Sequence, residues 1–148
     1  ISSGAALDLN GQTLSTAGAL TLNGTGINSG GALMNSGGAA SYGGLLTLGS
    51  ASSIVGGAGS IALSNTGILT GATFGLTLGG AAGGSIFSII GTTTGTLTKQ
   101  DAGTWTLSGV NTYSGATTVK AGVLTAGSNK AYGTGTITVA SGGALDLT

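Results

Sequence analysis

The chain has 148 residues and a mass of 13.7 kDa, enough for one domain, and Gly (33), Thr (24), Ala (20) and Ser (17) supply 94 of those residues. Only Asp8, Lys99, Asp101, Lys120, Lys130 and Asp146 carry charge, the net charge is zero, and Arg, Glu, His, Cys and Pro are absent. This excludes thiol and histidine chemistry and zinc sites, leaves acid–base catalysis without clustered groups, and offers nucleic acid too few cations to hold its phosphates.

The predicted elements are short strands, each an apolar–polar alternation closed by Gly, Asn or Ser. In chain order they cover 6–11 (ALDLNG), 19–24 (ALTLNG), 45–50 (LLTLGS), 61–65 (IALSN) and 75–80 (GLTLGG). They continue over 96–99 (TLTK), 104–109 (TWTLSG), 117–122 (TTVKAG), 136–142 (TITVASG) and 144–147 (ALDL). In each Leu-Thr-Leu run the two apolar residues share one face, so Leu20 and Leu22 point inward and Thr21 outward. No stripe of helical period extends far enough to compete, and each interior glycine would cost a helix up to about 1 kcal/mol. Leu, Ile, Val and Phe supply 34 residues in paired spacing, which argues for a folded chain over a glycine-rich linker.

Strands of this kind build a sandwich, a barrel or a solenoid, and their self-similarity favours the solenoid, in which like residues stack on like. Leu9-Asn10-Gly11 returns at an offset of 13 as Leu22-Asn23-Gly24, and Leu48, Leu63 and Leu78 lie 15 apart. The spacing leaves open whether one step is a coil or one side of a larger coil. The small Ala, Val and Leu set suits a narrow interior. A longer repeat, at an offset of 138, links Ser3–Leu9 (SGAALDL) to Ser141–Leu147 (SGGALDL) and predicts that 1–148 is a single solenoid segment, one unit of a tandem array. At about 4.8 Å and roughly 20–25 residues per coil, a unit advances about 30 Å.

The stretch 95–127, GTLTKQDAGTWTLSGVNTYSGATTVKAGVLTAG, resembles the autotransporter-associated β-strand repeat of bacterial passenger domains. The resemblance is carried by Leu97-Thr98-Lys99, Gly103 through Gly109, Asn111 through Gly115, Thr117 through Val119, Gly122 and Leu124. Ala116 stands where a second glycine is common, and the turn reads Gln100-Asp101-Ala102. Residues 1–94 share only composition and strand pattern with such passengers. The resemblance implies a right-handed parallel β-helix (β-solenoid) on a Gram-negative surface or in its secreted matrix, with the repeat as a folding and stacking element.

Other side chains admit a second role. Trp105 and Leu107 alternate onto the core side, which predicts a buried anchor. Asn111-Thr112-Tyr113-Ser114-Gly115 reads as a tight turn with Tyr113 over a coil edge, against a sugar platform as the alternative. The most apolar run, 85–90 (SIFSII), puts Ile86 and Ile90 on one strand face and Phe87 and Ile89 on the other, and marks these four as a candidate self-association site. Outward Thr21, Thr47, Thr77, Thr98, Thr104 and Thr106 could form an uncharged face for ice or polysaccharide, although their spacing in the sequence is irregular. Asp8 and Asp146 occupy equivalent positions, but scattered carboxylates do not make a calcium site, and no metal or cofactor is expected. Glycine-rich phosphate loops and the serine-nucleophile elbow are absent.

No run of about 20 apolar residues marks a membrane span, and the opening ISSGAALDLNG lacks a signal peptide's basic and apolar regions. The chain reads as an excerpt of a longer secreted protein. The expected function is a non-catalytic stalk or fibre module of a surface adhesin or matrix protein. Its expected partners are neighbouring repeats, and identical fibres or surface glycans if an outer face binds.

Overall fold

The computed structural model describes residues 1–147. It is all-β: seventeen strands and one short 3-10 turn, Ile27–Ser29, wind into a parallel β-solenoid. Each coil has three sides because a run of two to five residues, mostly alternating apolar and polar, forms a strand, and the Gly, Asn and Ser that follow turn a corner; β6 alone, with 11 residues, runs through one.

The first side stacks β1 (Leu7–Asp8), β4 (Leu33–Asn35), the second half of β6 (Leu46–Gly56), β9 (Leu76–Gly79), β12 (Leu97–Lys99), β14 (Thr117–Val119) and β16 (Ile137–Val139). The second stacks β2 (Thr13–Leu14), β5 (Ala40–Tyr42), β7 (Ile61–Leu63), β10 (Gly83–Ile86), β13 (Thr104–Leu107), β15 (Gly122–Ala126) and β17 (Gly143–Asp146). The third is shorter and contains β3 (Leu20–Gly24), the first half of β6, β8 (Ile68–Leu69) and β11 (Ile89–Ile90). All pairings are parallel, as expected when each strand meets its counterpart one coil later.

Register gives the coil length directly. Leu7 faces Leu33, which faces Ile54, then Leu78, Lys99, Val119 and Val139. The first coil, from Leu7 to Leu33, is the longest, and the last two, from Lys99 to Val119 and from Val119 to Val139, are the shortest. The shorter spacings in the sequence are two sides of a triangle: Leu48 lies on the third side, Leu63 on the second and Leu78 on the first. All ten predicted runs contain a strand. The run 85–90, read as one strand, is two: β10 ends at Ile86, the chain turns at Phe87 and Ser88, and β11 begins at Ile89.

The core is a set of in-register columns running along the axis. On the second side Leu14, Tyr42, Leu63, Ile86, Leu107 and Ala126 form one column, and Ala40, Ile61, Gly84, Trp105, Leu124 and Leu145 the next. Most of these side chains are fully enclosed, and each buried Leu or Ile contributes about 1.5–3 kcal/mol. Among the described residues no buried side-chain N or O atom lacks a hydrogen-bond partner, and no helix is long and apolar enough to cross a membrane.

Candidate functional site

The interior of the last three complete coils is fastened by polar side chains that bond to backbone of neighbouring coils. Trp105 has no exposed surface, and its indole N–H donates to the carbonyl of Gly79 (3.0 Å). Asn111 sits at a corner, where its Oδ1 accepts from the Ile90 N–H (2.7 Å) and its Nδ2 donates to the Ala131 carbonyl (2.5 Å), so one amide joins the coil before to the coil after. Tyr113 is fully buried with its hydroxyl 2.7 Å from that of Thr117, and burial pushes the phenol up to about 12. Tyr132 donates to the carbonyls of Leu124 (3.0 Å) and Asp146 (2.7 Å). Burial, reinforced by Asp146 and Tyr113, raises it to about 12 as well.

Lys99 occupies an inward position between Leu78 and Val119 and has no exposed surface. Its ammonium donates to the carbonyls of Gln100 (2.7 Å), Asp101 (2.7 Å) and Ala121 (2.9 Å), which accounts for all three of its hydrogens. Burial lowers its pKa below the usual lysine value, and the nearby Asp101 charge works in the opposite direction. A Cβ on Gly122, whose φ is +66°, would lie 2.7 Å from the Lys99 Nζ, so the absent side chain leaves room for the ammonium. Enclosed by backbone, this amine is a cross-link between coils rather than an available nucleophile.

The outer faces carry a different chemistry. On the first side Thr77, Thr98, Thr118 and Thr138 are in register, one per coil. Ser53 continues this column but is buried, its hydroxyl donating to the Thr25 carbonyl. On the second side the column is Thr13, Ser41, Ala62, Ser85, Thr106, Thr125 and Asp146. On the third Thr21, Thr47 and Thr70 align, with the hydroxyls of Thr47 and Thr70 3.1 Å apart. The threonines singled out in the sequence thus fall on three sides and do not form one face, and only the first side stacks a threonine on four successive coils. Thr104 instead lies beside Gly83 and Val123. An open hollow of about 620 Å³ at the C-terminal end is lined by residues 126–133 with Ile137 and Leu147.

Residues 97–126 match the family model of the passenger-associated-transport-repeat. The match and the solenoid together fit a repeat of an autotransporter passenger. No curated protein and no solved structure gives a significant match to the chain. The matched repeat supplies Lys99, Trp105 and Asn111, three of the side chains that fasten one coil to another, together with Tyr113, whose hydroxyl bonds within its own coil to Thr117, and is a passenger-associated structural module. Such a repeat implies a secreted, surface-exposed region.

The structure brings Trp105, Leu107, Asn111 and Tyr113 together in the core, and Gly115 packs closely against the Gly95 carbonyl. Tyr113 therefore offers no platform to a sugar. Of the four residues marked for self-association, Ile86 and Ile90 are enclosed and unavailable to any partner. Phe87 is 45% exposed and Ile89 half-buried on the outside. Asp8 and Asp146 sit on different sides at opposite ends of the solenoid, and Asp8 bonds to Ser36 and the Asn10 N–H, contacts that lower its pKa. Among the described residues no three carboxylate, histidine or cysteine groups come together. Sequence reasoning missed Lys99 and Tyr132 as core anchors. The alternation Leu97-Thr98-Lys99, with Thr98 outward, already puts Lys99 inside.

Proposed function

We propose that the chain is a non-catalytic stalk or fibre segment of a bacterial surface adhesin or matrix protein. The observation that carries this reading is the unbroken inward column from Leu7 to Val139, which gives one continuous core and one axis. A solenoid of this form lengthens by adding coils without redesign of the core. Seven stacked strands at about 4.8 Å give an axial length of roughly 30 Å. The chemistry agrees: among the described residues the one fully buried cation is satisfied by carbonyls, and the outer faces present hydroxyls and methyls without a cluster of acids or bases. The reading is tested by fusing the chain between two rigid markers and measuring their separation by electron microscopy. A stalk holds the markers a fixed distance apart, whereas a variable separation rejects it.

A second reading, a surface for glycans, is favoured by the in-register hydroxyls of Thr77, Thr98, Thr118 and Thr138. Replacing Thr98 and Thr118 by Val keeps the strand propensity and removes the hydroxyls. Glycan binding that survives the double substitution rejects this face as the site.

A further inference from the structure

The third side carries an apolar ladder on its outside. Val110 lies one coil beyond Ile89 and Ile89 one coil beyond Ile68, as the bonds from the Thr112 N–H to the Ile90 carbonyl and from the Ile89 N–H to the Gly67 carbonyl fix. Pairing of Thr47 with Thr70 places Leu45 below Ile68. Ile68 is 50% and Val110 47% exposed, Leu45 and Ile89 are half-buried, and Phe87 stands exposed at the corner beside Ile89. The Ile68 side chain leans over the next coil, where its Cγ2 would meet a Cβ on Gly91.

We propose that this ladder is a lateral contact surface for the same face of a second copy of the chain. Two features of the surface select that occupant. The first is charge: the rungs Leu45, Ile68, Ile89 and Val110 are uncharged, and Lys130, one coil beyond Val110 by the bond from the Asn111 N–H to the Lys130 carbonyl, stands at the end of the ladder, so two copies that run antiparallel meet along the rungs without opposing like charges. The second is spacing. A row of aliphatic side chains repeating at the strand separation of about 4.8 Å fits best against a row with the same period, and an identical solenoid presents one.

The inference rests on the reading of the chain as a rod segment and adds a partner to it. Its size sets its strength. Four rungs span about 14 Å, which gives a contact of a few hundred Å² at most, well below the roughly 800 Å² per partner of a standard stable interface. A single pair of chains therefore associates weakly, and in an array the copies whose ladders face the same way multiply the contact through effective concentration.

The chain has no cysteine, so single substitutions report contacts cleanly. Ile89→Cys and Val110→Cys probe the ladder, Thr98→Cys and Thr125→Cys the other two sides, and Val139→Cys the C-terminal end. Each folded variant, checked by its circular dichroism, is oxidised at equal concentration, and dimer formation is normalised to the thiol's rate with a small reagent. Ladder cysteines should cross-link about 10-fold or more faster than those on the other sides, and Ile68→Thr added to Val110→Cys should lower that rate. Equal rates on all three sides, or the fastest rate at Val139→Cys, overturn the proposal. The marker separation in electron microscopy is unaffected by either result, so loss of the lateral contact and loss of the rod reading are told apart.

Discussion

Gly84 and Trp105 face each other on adjacent strands of the second side, and the side chain that Gly84 lacks is the space the indole fills. A Cβ built on Gly84 would lie 3.0 Å from the ring carbons Cη2 and Cζ3 and 2.2 Å from the Ile61 carbonyl oxygen. Gly84→Ala should therefore force the indole or the backbone to move, at a cost of about 1–3 kcal/mol. Denaturant unfolding followed by the fluorescence of the single tryptophan measures it. Unchanged stability would mean that the two coils are not packed as described.

Lys99 should behave as a coil cross-link. Lys99→Met retains the aliphatic stem and leaves the carbonyls of Gln100, Asp101 and Ala121 without their donor, an expected loss of roughly 1–3 kcal/mol for each carbonyl kept from water. Lys120→Met, on the exposed residue following β14, should change stability little. Equal effects of the two substitutions in chemical denaturation would refute the difference.

The buried phenols predict an alkaline transition. The folded-state values of Tyr113 and Tyr132, about 12, exceed the ordinary 10.0, so the folded protein keeps these protons where the unfolded chain has lost them. Their stabilisation is complete below pH 10 and is lost as pH rises to about 12. Lys99 works in the opposite sense: its value is lowered, so its contribution rises with pH until the ordinary 10.5 is passed. Unfolding free energies across this range should fall towards pH 12, and Tyr113→Phe should flatten the fall. Tyrosinate absorbance appearing before unfolding would contradict it.

Asn111 joins three coils through one amide, and Asn111→Leu strands both the Ile90 N–H and the Ala131 carbonyl. The expected destabilisation is about 1–3 kcal/mol for each unsatisfied group, against almost none for Asn129→Leu on the surface. Hydrogen exchange at Ile90 offers a local readout. Its protection should drop in the Asn111 variant alone.

Much of this architecture was legible in the sequence, and the reasons for the remainder are physical. Leu-Thr-Leu runs marked strands wherever inward positions were apolar, as in 20–22 and 76–78. Among the missed strands, β4 has a polar inward position, Asn35, buried and satisfied by bonds to the Gly11 and Gly37 N–H groups and the Gly38 and Ser60 carbonyls, while β5 and β8, with Tyr42 and Leu69 inward, are too short to show an alternation of leucines. The coil length was hidden because similar leucines recur every two sides rather than every three. The apolar ladder could not be read at all, since Leu45, Ile68, Ile89 and Val110 are brought into line only by the winding of the coils.

The two SG-x-ALDL motifs carry a consequence for tandem copies. Leu7 lies on the first side in the first coil, and Leu145, its counterpart in the second motif, lies on the second side beside Leu124. One unit therefore makes six turns and a third, and a following copy would start rotated by one side. In an array, the ladders of successive units should point in three directions and return to the first after three units. Labels on Val110 in a three-unit array, imaged by electron microscopy, should follow that rotation; labels all on one edge would show the units to be in phase.

The most direct test of the stalk itself is the length, in electron micrographs, of arrays that carry one, two and four copies of the unit between the two motifs. Continuous stacking predicts straight rods that grow by a constant increment of about 30 Å per unit. Separate beads, or a length that does not scale with unit number, would contradict it.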